Sequence, residues 1–236
     1  MLDWKGVYPA VSTQFHEDFS LDLSATGRVM DALIADGVAG LVVCGTVGEG
    51  TSLTAEEKRQ IIGRAVETAK GRIPVVVGVA ENTPPLAATL AKDAEKAGAA
   101  GLMVLPPMVY GGNASEIIFH YREVAKASSL PIMLYNNPLA YKVDLTPDVV
   151  AKLAGIETVA AIKDSTGLPN RLVDIHNRVG GRLALVCGLD DVLLESVALG
   201  AIGWVSGMSN VFPKEANALF EFAIKGANNK ALALYR

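Results

Sequence analysis

The chain has 236 residues, of which 50% are hydrophobic and 19% are charged, enough for one large domain with a sizeable core. Its net charge of −4 and the lack of any basic run argue against nucleic acid as a partner. No apolar run approaches the ~20 residues that a membrane-spanning helix needs, and the N-terminus, Met1-Leu2-Asp3-Trp4-Lys5, has no apolar signal segment.

Short apolar strands alternate with amphipathic helices from one end of the chain to the other. The predicted strands cover residues 7–13, 39–44, 73–79, 101–105, 131–135, 158–163, 183–187 and 202–206. The predicted helices cover residues 23–36, 54–70, 84–97, 114–127, 147–154, 168–179, 190–199 and 213–224. The second helix is expected to begin with a capping box formed by Thr54 and Glu57.

Eight strand–helix units predict an α/β fold in which a parallel sheet closes into a (β/α)8 TIM barrel with the helices outside. The rival fold, an open doubly wound sheet, needs a glycine-rich phosphate loop after its first strand. Residues 11–15, Val-Ser-Thr-Gln-Phe, do not form one. No linker interrupts the pattern, so we expect one catalytic domain over residues 1–236. In such a barrel the active site lies at the C-terminal ends of the strands.

A lysine ends the sixth predicted strand. Residues 158–162 are apolar or β-branched, Lys163 follows them, and residues 164–167 lead towards the next helix. An amine held against apolar surroundings loses solvation of its charged form and can act as a nucleophile. The alternative is a strand-end lysine whose ammonium group reaches solvent.

The ends of two further predicted strands carry groups that can bind a carboxylate or transfer a proton. After the second strand, the amides of Gly45-Thr46-Val47-Gly48 can bind a carboxylate and the Thr46 hydroxyl can relay a proton, although a plain tight turn has the same composition. Tyr135 ends the fifth strand, which neighbours the sixth in a barrel. Its phenol is either a general acid–base group beside Lys163 or a core aromatic with a bonded hydroxyl.

The ends of the last two strands offer weaker candidates. Asp190 and Asp191 stand at the start of a predicted helix, where N-capping by at least one of them is the favoured interpretation. The alternative is hydrogen bonding to substrate hydroxyls. Gly188 and Ser206 follow or end the seventh and eighth strands and are further candidates for the substrate site.

The cysteine and histidine residues do not suggest a metal centre. Cys44 and Cys187 lie far apart at the ends of predicted strands, and we expect two free thiols in a cytoplasmic protein. Neither cysteine has metal-binding spacing, and the histidines are scattered at positions 16, 120 and 176. We therefore expect no protein-bound metal.

Four motifs over the stretch from Gly6 to the last residue together resemble the dihydrodipicolinate synthase / N-acetylneuraminate lyase family of class I aldolases. They are Gly45-Thr46-Val47-Gly48-Glu49, Tyr135-Asn136-Asn137-Pro138, Lys163-Asp164-Ser165-Thr166-Gly167 and Gly188-x-Asp190. The resemblance implies a TIM barrel and a lysine that forms a Schiff base.

The same resemblance implies a role for each site residue. Lys163 would form an imine with the keto carbon of pyruvate or another 2-oxo acid, and Tyr135 would shuttle the proton. Thr46 would hydrogen-bond that tyrosine, and the backbone of Thr46 and Val47 would hold the carboxylate. Gly188, Asp190 and Ser206 would complete the substrate site. No metal or organic cofactor is implied, and the expected assembly is a homotetramer.

The sequence departs from dihydrodipicolinate synthase at three positions. Val47 stands where that enzyme has a second hydroxyl residue, and Val109, with Tyr110 next to it, stands where it has a tyrosine that reaches the neighbouring subunit. Ala140 stands where it has an arginine. The chain also ends at Arg236 in a predicted helix where the family continues, so we expect a fragment with truncated C-terminal helices.

These features predict a lyase that acts on a 2-oxo acid through an imine and is not dihydrodipicolinate synthase itself. The reaction would be aldol cleavage, condensation or dehydration, for example of a 2-keto-3-deoxy sugar acid. One alternative is a deaminase of 1-pyrroline-4-hydroxy-2-carboxylate from the same family. The other is a catalytically silent barrel that binds a small acid.

Overall fold

The computed structural model describes residues 2–236. Its centre is a parallel sheet of eight strands in the order β1-β8-β7-β6-β5-β4-β3-β2. The strands are β1 Gly6–Pro9, β2 Leu41–Val43, β3 Val75–Val79, β4 Gly101–Val104, β5 Ile132–Asn136, β6 Val159–Asp164, β7 Ala184–Cys187 and β8 Gly203–Ser206. The first and last strands of this order meet through a single parallel bridge between Ala10 and Val42. The predicted (β/α)8 TIM barrel is confirmed.

Helices follow the strands on the outside of the barrel. They are α1 Leu23–Ala35, α2 Ala55–Ala69, α3 Pro84–Ala97, α4 Ala114–Ala127, α5 Pro138–Tyr141, α6 Pro147–Leu153, α7 Asn170–Val179, α8 Leu193–Ala198, α9 Pro213–Ile224 and α10 Asn228–Tyr235. Short 3₁₀ helices cover Gly180–Arg182, Asp190–Val192 and Met208–Asn210. Among residues 2–236, no helix has both the length and the apolar character required to cross a lipid bilayer.

Local signals account for several helix boundaries. The capping box before α2 is confirmed: the Thr54 side chain accepts a hydrogen bond from the Glu57 amide, and the Glu57 carboxylate accepts one from the Thr54 amide. Helix α3 begins with two prolines, whose fixed φ suits the first turn, and ends at Gly98 in the left-handed conformation.

The predicted elements differ from the structure in several places. Residues 190–199 form the 3₁₀ helix Asp190–Val192 followed by α8 instead of one continuous helix. The short α5 was not expected, because a single turn has no measurable periodicity. The first strand is shorter than residues 7–13, since its pairing with β8 ends at Pro9 and Ser206.

Alternating side chains divide the strands into an inner and an outer face. Val42, Val76, Met103, Met133 and Ala161 belong to one cluster inside the barrel. Residues that alternate with them, among them Val43, Val77, Leu134 and Ile162, pack in a second cluster beneath the helices. Because strand side chains repeat every two residues, the position after Ile162 faces inward like Ala161. That position is Lys163.

Candidate active site

Lys163 lies at the C-terminal end of the barrel interior. It pairs in register with Tyr135 of β5 and Val186 of β7, and only 5% of its surface is exposed. Among the described residues, no carboxylate oxygen lies within 4.0 Å of its Nζ atom. That atom instead lies 3.7 Å from the centroid of the Tyr135 ring. An ammonium group over an aromatic face gains about 0.5–2 kcal/mol, so the ring holds the amine in one place.

Tyr135, whose ring lies against this amine, carries a phenol that can transfer a proton. Its side chain is buried, and its hydroxyl accepts a hydrogen bond of 3.4 Å from Nδ2 of Asn137. Burial by itself raises the pKa of Tyr135, but the Lys163 ammonium and hydrogen bonds from Asn137 and Tyr141 outweigh burial and lower that pKa overall. A more acidic phenol next to an amine is suited to exchange protons with a reacting group.

The Thr46 hydroxyl contacts a different tyrosine from the one expected. Thr46 is exposed in the loop after β2, and its Oγ1 forms a hydrogen bond with the Tyr141 hydroxyl, not with Tyr135. The rings of Tyr141 and Tyr135 meet edge to face, with centroids 5.6 Å apart and planes at 87°. Burial and the neighbouring Tyr135 raise the pKa of Tyr141. Tyr141 is not among the predicted site residues.

Two amides of the β2 loop are free to bind an anion. Thr46 and Val47 are both exposed, and in the described part of the chain neither backbone N–H donates a hydrogen bond. The loop packs tightly at Gly48, where a Cβ atom would lie 2.6 Å from the carbonyl oxygen of Val11. Its conformation is therefore fixed by its neighbours, and consecutive N–H groups on a fixed turn bind carboxylates.

Gly188 lies directly against the lysine stem. A Cβ atom at this position would lie 2.9 Å from Cγ of Lys163 and 2.8 Å from the carbonyl oxygen of Asp164, and it would overlap Oγ of Ser165. The Gly188 amide donates a 2.9 Å hydrogen bond to that same carbonyl oxygen. Only glycine at this position leaves room for the Lys163 side chain. The predicted role of Gly188 in substrate binding stays a prediction.

Asp190 faces the barrel mouth instead of capping its own helix. Its Oδ2 accepts a 3.2 Å hydrogen bond from the Met208 amide, while its Oδ1 is buried and has no partner within residues 2–236. Neither Asp190 nor Asp191 makes a side-chain cap on the 3₁₀ helix or on α8, so the capping interpretation is wrong. Val47 lies close by, because a Cβ on Gly207 would approach both Asp190 Oδ2 at 3.6 Å and Val47 Cγ2 at 4.0 Å.

Ser206 is placed differently from the other predicted substrate contacts. It ends β8 and is fully buried, and its Oγ accepts a 3.0 Å hydrogen bond from the Ser209 amide. Its hydroxyl oxygen therefore accepts a hydrogen bond from a backbone amide at the start of the 3₁₀ helix Met208–Asn210. Within residues 2–236, the structure brings together no group of three or more His, Cys, Asp or Glu side chains arranged to hold a metal ion.

A polar network behind the site joins the ends of β5 and β6. Asn136 donates from Nδ2 to Asp164 at 3.0 Å and to Asp144 at 3.1 Å. Asp144 in turn accepts bonds of 3.0–3.2 Å from the guanidinium of Arg171. Because Asn136 follows Tyr135 and Asp164 follows Lys163, this network fixes the relative positions of the two strand ends. Asn136 and Asp164 lie in the predicted motifs, whereas no local pattern singles out Asp144 or Arg171.

The three departures noted in the sequence lie at exposed positions. Val109 and Tyr110 are 62% and 83% exposed in the loop after β4. Ala140 is exposed on α5. The nearby cation Lys142 directs its Nζ to the carbonyl oxygen of Leu139 at 3.2 Å.

The amino-acid sequence matches one family model and several known proteins. The family model described as "Dihydrodipicolinate synthetase family" matches residues 3–236. The chain is 34% identical to the 4-hydroxy-tetrahydrodipicolinate synthase of Methanothrix thermoacetophila over 98% of its own length and 78% of that protein. It is 37% identical to the protein of the same name from Sorangium cellulosum, over 92% and 73% of the two chains.

Solved structures show the same similarity. The dihydrodipicolinate synthase of Aquifex aeolicus matches with a TM-score of 0.95 and 33% identity, over 98% of this chain and 79% of that one. A prophage protein of the dihydrodipicolinic acid synthase family from E. coli K12, solved in complex with pyruvate, matches with a TM-score of 0.94 and 32% identity. That match covers 99% of this chain and 80% of the other.

The packing at Gly188 predicts the effect of a single methyl group. Gly188→Ala should lower the free energy of unfolding by about 1–3 kcal/mol, because Lys163 and Ser165 must move to admit the new Cβ. Gly181→Ala is the matched control, since no heavy atom lies within 4 Å of the Cβ that it would introduce. Urea unfolding would measure both variants, and equal midpoints for the two would contradict the tight packing inferred here.

Proposed function

The chain belongs to the dihydrodipicolinate synthetase family, a family of lyases, and we propose that it acts on a 2-oxo acid through an imine formed at Lys163. The observation that carries the proposal is the buried Lys163 amine, which faces the Tyr135 ring and has no carboxylate partner among residues 2–236. Such an amine is available to a carbonyl carbon, whereas an ion-paired lysine is not.

The proposed reaction begins with addition of the Lys163 amine to the keto carbon. The resulting carbinolamine loses its hydroxyl as water when Tyr135 supplies a proton, and a protonated imine remains. This imine withdraws electrons from the adjacent carbon, so a neighbouring carbon–carbon or carbon–oxygen bond breaks or forms more easily. Tyr135 is suited to the proton transfer because its side chain is buried and its ring lies 3.7 Å from the amine.

The substrate carboxylate would bind to the backbone of the β2 loop. The amides of Thr46 and Val47 are exposed and donate to no group within residues 2–236, and they lie at the C-terminal edge of the barrel. Backbone dipoles in a fixed turn then replace a cationic side chain as the carboxylate receptor. Asp190, whose Oδ1 is unpartnered, would accept a hydrogen bond from a hydroxyl or ammonium group of the substrate.

The substrate that this site favours is small and carries one carboxylate. The relatives reported above are named 4-hydroxy-tetrahydrodipicolinate synthase, an activity that requires a second, carboxylate-bearing substrate. In this chain Ala140 is exposed and offers no guanidinium, and Val47 adds a methyl-lined surface near the mouth. These features favour an aldolase or dehydratase of 2-oxo acids. The second candidate is the deaminase of 1-pyrroline-4-hydroxy-2-carboxylate, because a small ring with one carboxylate fits the same surface.

An apolar surface near the β4 loop supports assembly into a homo-oligomer. A cavity of about 630 Å³ there is lined by Pro107, Tyr110 and Phe119, and the two aromatic side chains are 83% and 55% exposed. Exposed aromatic groups that cluster in this way are typical of protein contacts. A second copy of the chain is the expected occupant, in keeping with the tetramer that the family resemblance implies.

Chemical trapping tests the imine. With a panel of 2-oxo acids that includes pyruvate, borohydride reduction should attach one substrate unit to each chain, located at Lys163. Lys163→Ala should give no adduct, and Lys142→Ala, which removes an exposed lysine, should react like the parent protein. Mass measurement of intact protein and of peptides would locate the adduct. An adduct on Lys142, or one that persists in Lys163→Ala, would refute the assignment.

Removal of one hydroxyl tests Tyr135. Tyr135→Phe keeps the ring over the lysine but removes the proton, so turnover should fall about 10²- to 10⁴-fold, the usual range for general acid–base catalysis. The measurement is kcat on the best substrate of the panel. Affinity for the 2-oxo acid should change little, because the carboxylate binds elsewhere. Turnover equal to that of the parent protein would return Tyr135 to a packing role.

An assay with aspartate semialdehyde tests the substrate class. Loss of a hydrogen bond to a charged group costs about 1.5–3 kcal/mol, and each 1.36 kcal/mol lowers a rate tenfold. With Ala140 in place of an arginine and Val109 in place of a tyrosine, we expect imine formation with pyruvate but negligible condensation. A coupled assay that gives kcat/KM above roughly 10⁴ M⁻¹s⁻¹ would prove the expectation wrong.

A further inference from the structure

We propose that Tyr141 is a positioning residue that joins Tyr135 to Thr46 and so completes a proton pathway from the buried lysine to solvent within one chain. The inference rests on the proposed function, since it concerns how the phenol of Tyr135 recovers its proton. It assigns a role to a residue in no predicted motif, 95 residues away in sequence from its Thr46 partner.

The short helix α5 holds Tyr141 in place from both ends. At its start, Asn137 accepts hydrogen bonds from the Ala140 amide at its side-chain Oδ1, 3.1 Å away, and from the Tyr141 amide at its carbonyl oxygen, 3.0 Å away. At its end, Lys142 adopts φ 62° and donates its amide to the carbonyl oxygen of Pro138 at 3.0 Å. A single turn is rarely stable by itself, so these bonds define where Tyr141 points.

The same asparagine connects this helix to the proton-transfer tyrosine. While Oδ1 of Asn137 caps α5, its Nδ2 donates to the Tyr135 hydroxyl at 3.4 Å. One side chain therefore sets the position of both phenols. This double contact explains why a residue six places after Tyr135 returns to the same point of the barrel mouth.

The three hydroxyl groups follow a gradient of exposure. Tyr135 is 5% exposed, Tyr141 is half-buried, and Thr46 is exposed at the mouth. Tyr141 contacts both neighbours, through its hydroxyl to Thr46 and through an edge-to-face ring contact to Tyr135. A tyrosine with only a packing role needs one hydrogen-bond partner for its hydroxyl. Tyr141 has such a partner in Thr46 and also contacts a second ionisable group, the phenol-bearing ring of Tyr135.

The electrostatics of the pair agree with this arrangement. The Tyr141 hydroxyl is among the groups that lower the pKa of Tyr135, because a donor stabilises the phenolate form. In turn, burial and the proximity of Tyr135 raise the pKa of Tyr141. Tyr141 therefore stays protonated and remains a donor while Tyr135 titrates.

The proton balance of the step is complete without any further reagent. As the carbinolamine carbon–oxygen bond breaks, Tyr135 gives its proton to the departing hydroxide and water leaves. The phenolate then takes the Tyr141 proton, Tyr141 takes that of Thr46, and Thr46 takes one from water at the mouth. One solvent proton enters, and the positive charge remains on the imine.

The test compares Tyr141→Phe with Leu139→Ala, an exposed substitution on the same helix turn. The rate of borohydride-trapped adduct at Lys163 should fall about tenfold to 10²-fold in Tyr141→Phe, below the full effect of a direct acid–base group. In a plot of kcat/KM against pH, the ionisation of Tyr135 is identified as the limb that disappears in Tyr135→Phe. In Tyr141→Phe this limb should move to higher pH, because the phenolate of Tyr135 has lost a stabilising hydrogen-bond donor. Leu139→Ala should leave both measurements unchanged.

Variants of Thr46, the outermost of the three hydroxyl residues, distinguish proton transfer along the pathway from a packing effect. Thr46→Val should reproduce the loss, Thr46→Ser should restore it, and the Tyr141→Phe/Thr46→Val double variant should be no slower than the slower single one. If the parent protein traps an adduct but Tyr141→Phe matches Leu139→Ala in rate and pH profile, the inference is overturned and the proposed function stands. If no 2-oxo acid gives an adduct on the parent protein, both are overturned.

Discussion

The structure depends on one constraint, the burial of a basic amine inside an apolar barrel. The inner face of β6 places Lys163 directly beyond Ala161, where the interior is otherwise filled by aliphatic and aromatic side chains. A buried polar group is costly unless it finds partners. Here the Tyr135 ring lies under the amine and the glycine at position 188 leaves room for its stem.

The polar residues behind the lysine keep this arrangement rigid. Asn136 bridges Asp164 and Asp144, and the guanidinium of Arg171 pairs with both oxygens of Asp144. A bidentate pair of this kind is directional, so it fixes strand ends as well as stabilising them. The network lies one residue beyond Tyr135 on β5 and one residue beyond Lys163 on β6. It therefore acts on the distance between the Lys163 amine and the Tyr135 phenol, which is the quantity that proton transfer requires to be constant.

The mouth of the barrel combines backbone donors with an apolar rim. The amides of Thr46 and Val47, which donate no hydrogen bond within residues 2–236, provide positive dipoles, whereas the side chains of Val47 and Met208 present apolar groups to solvent. Such a surface discriminates against a second charged group, because a carboxylate placed there would lose water without gaining a partner. Under the proposed function, the barrel supports the chemistry at Lys163 and this rim selects the acid that reaches it.

Local patterns in the sequence were sufficient to predict the barrel and to place Tyr135 and Lys163 at the ends of neighbouring strands. Helices α3, α4 and α9 begin and end at the predicted residues, since prolines and amphipathic periodicity act over a few positions. Strand order makes β5 and β6 neighbours, but the register that sets Tyr135 opposite Lys163 comes from the structure and includes a shift between Ile132 and Met133. Only the tertiary structure decided that Thr46 meets Tyr141 and that Asp190 bonds to Met208. These contacts join loops from different strands, and their partners depend on how the closed barrel brings the loop ends together.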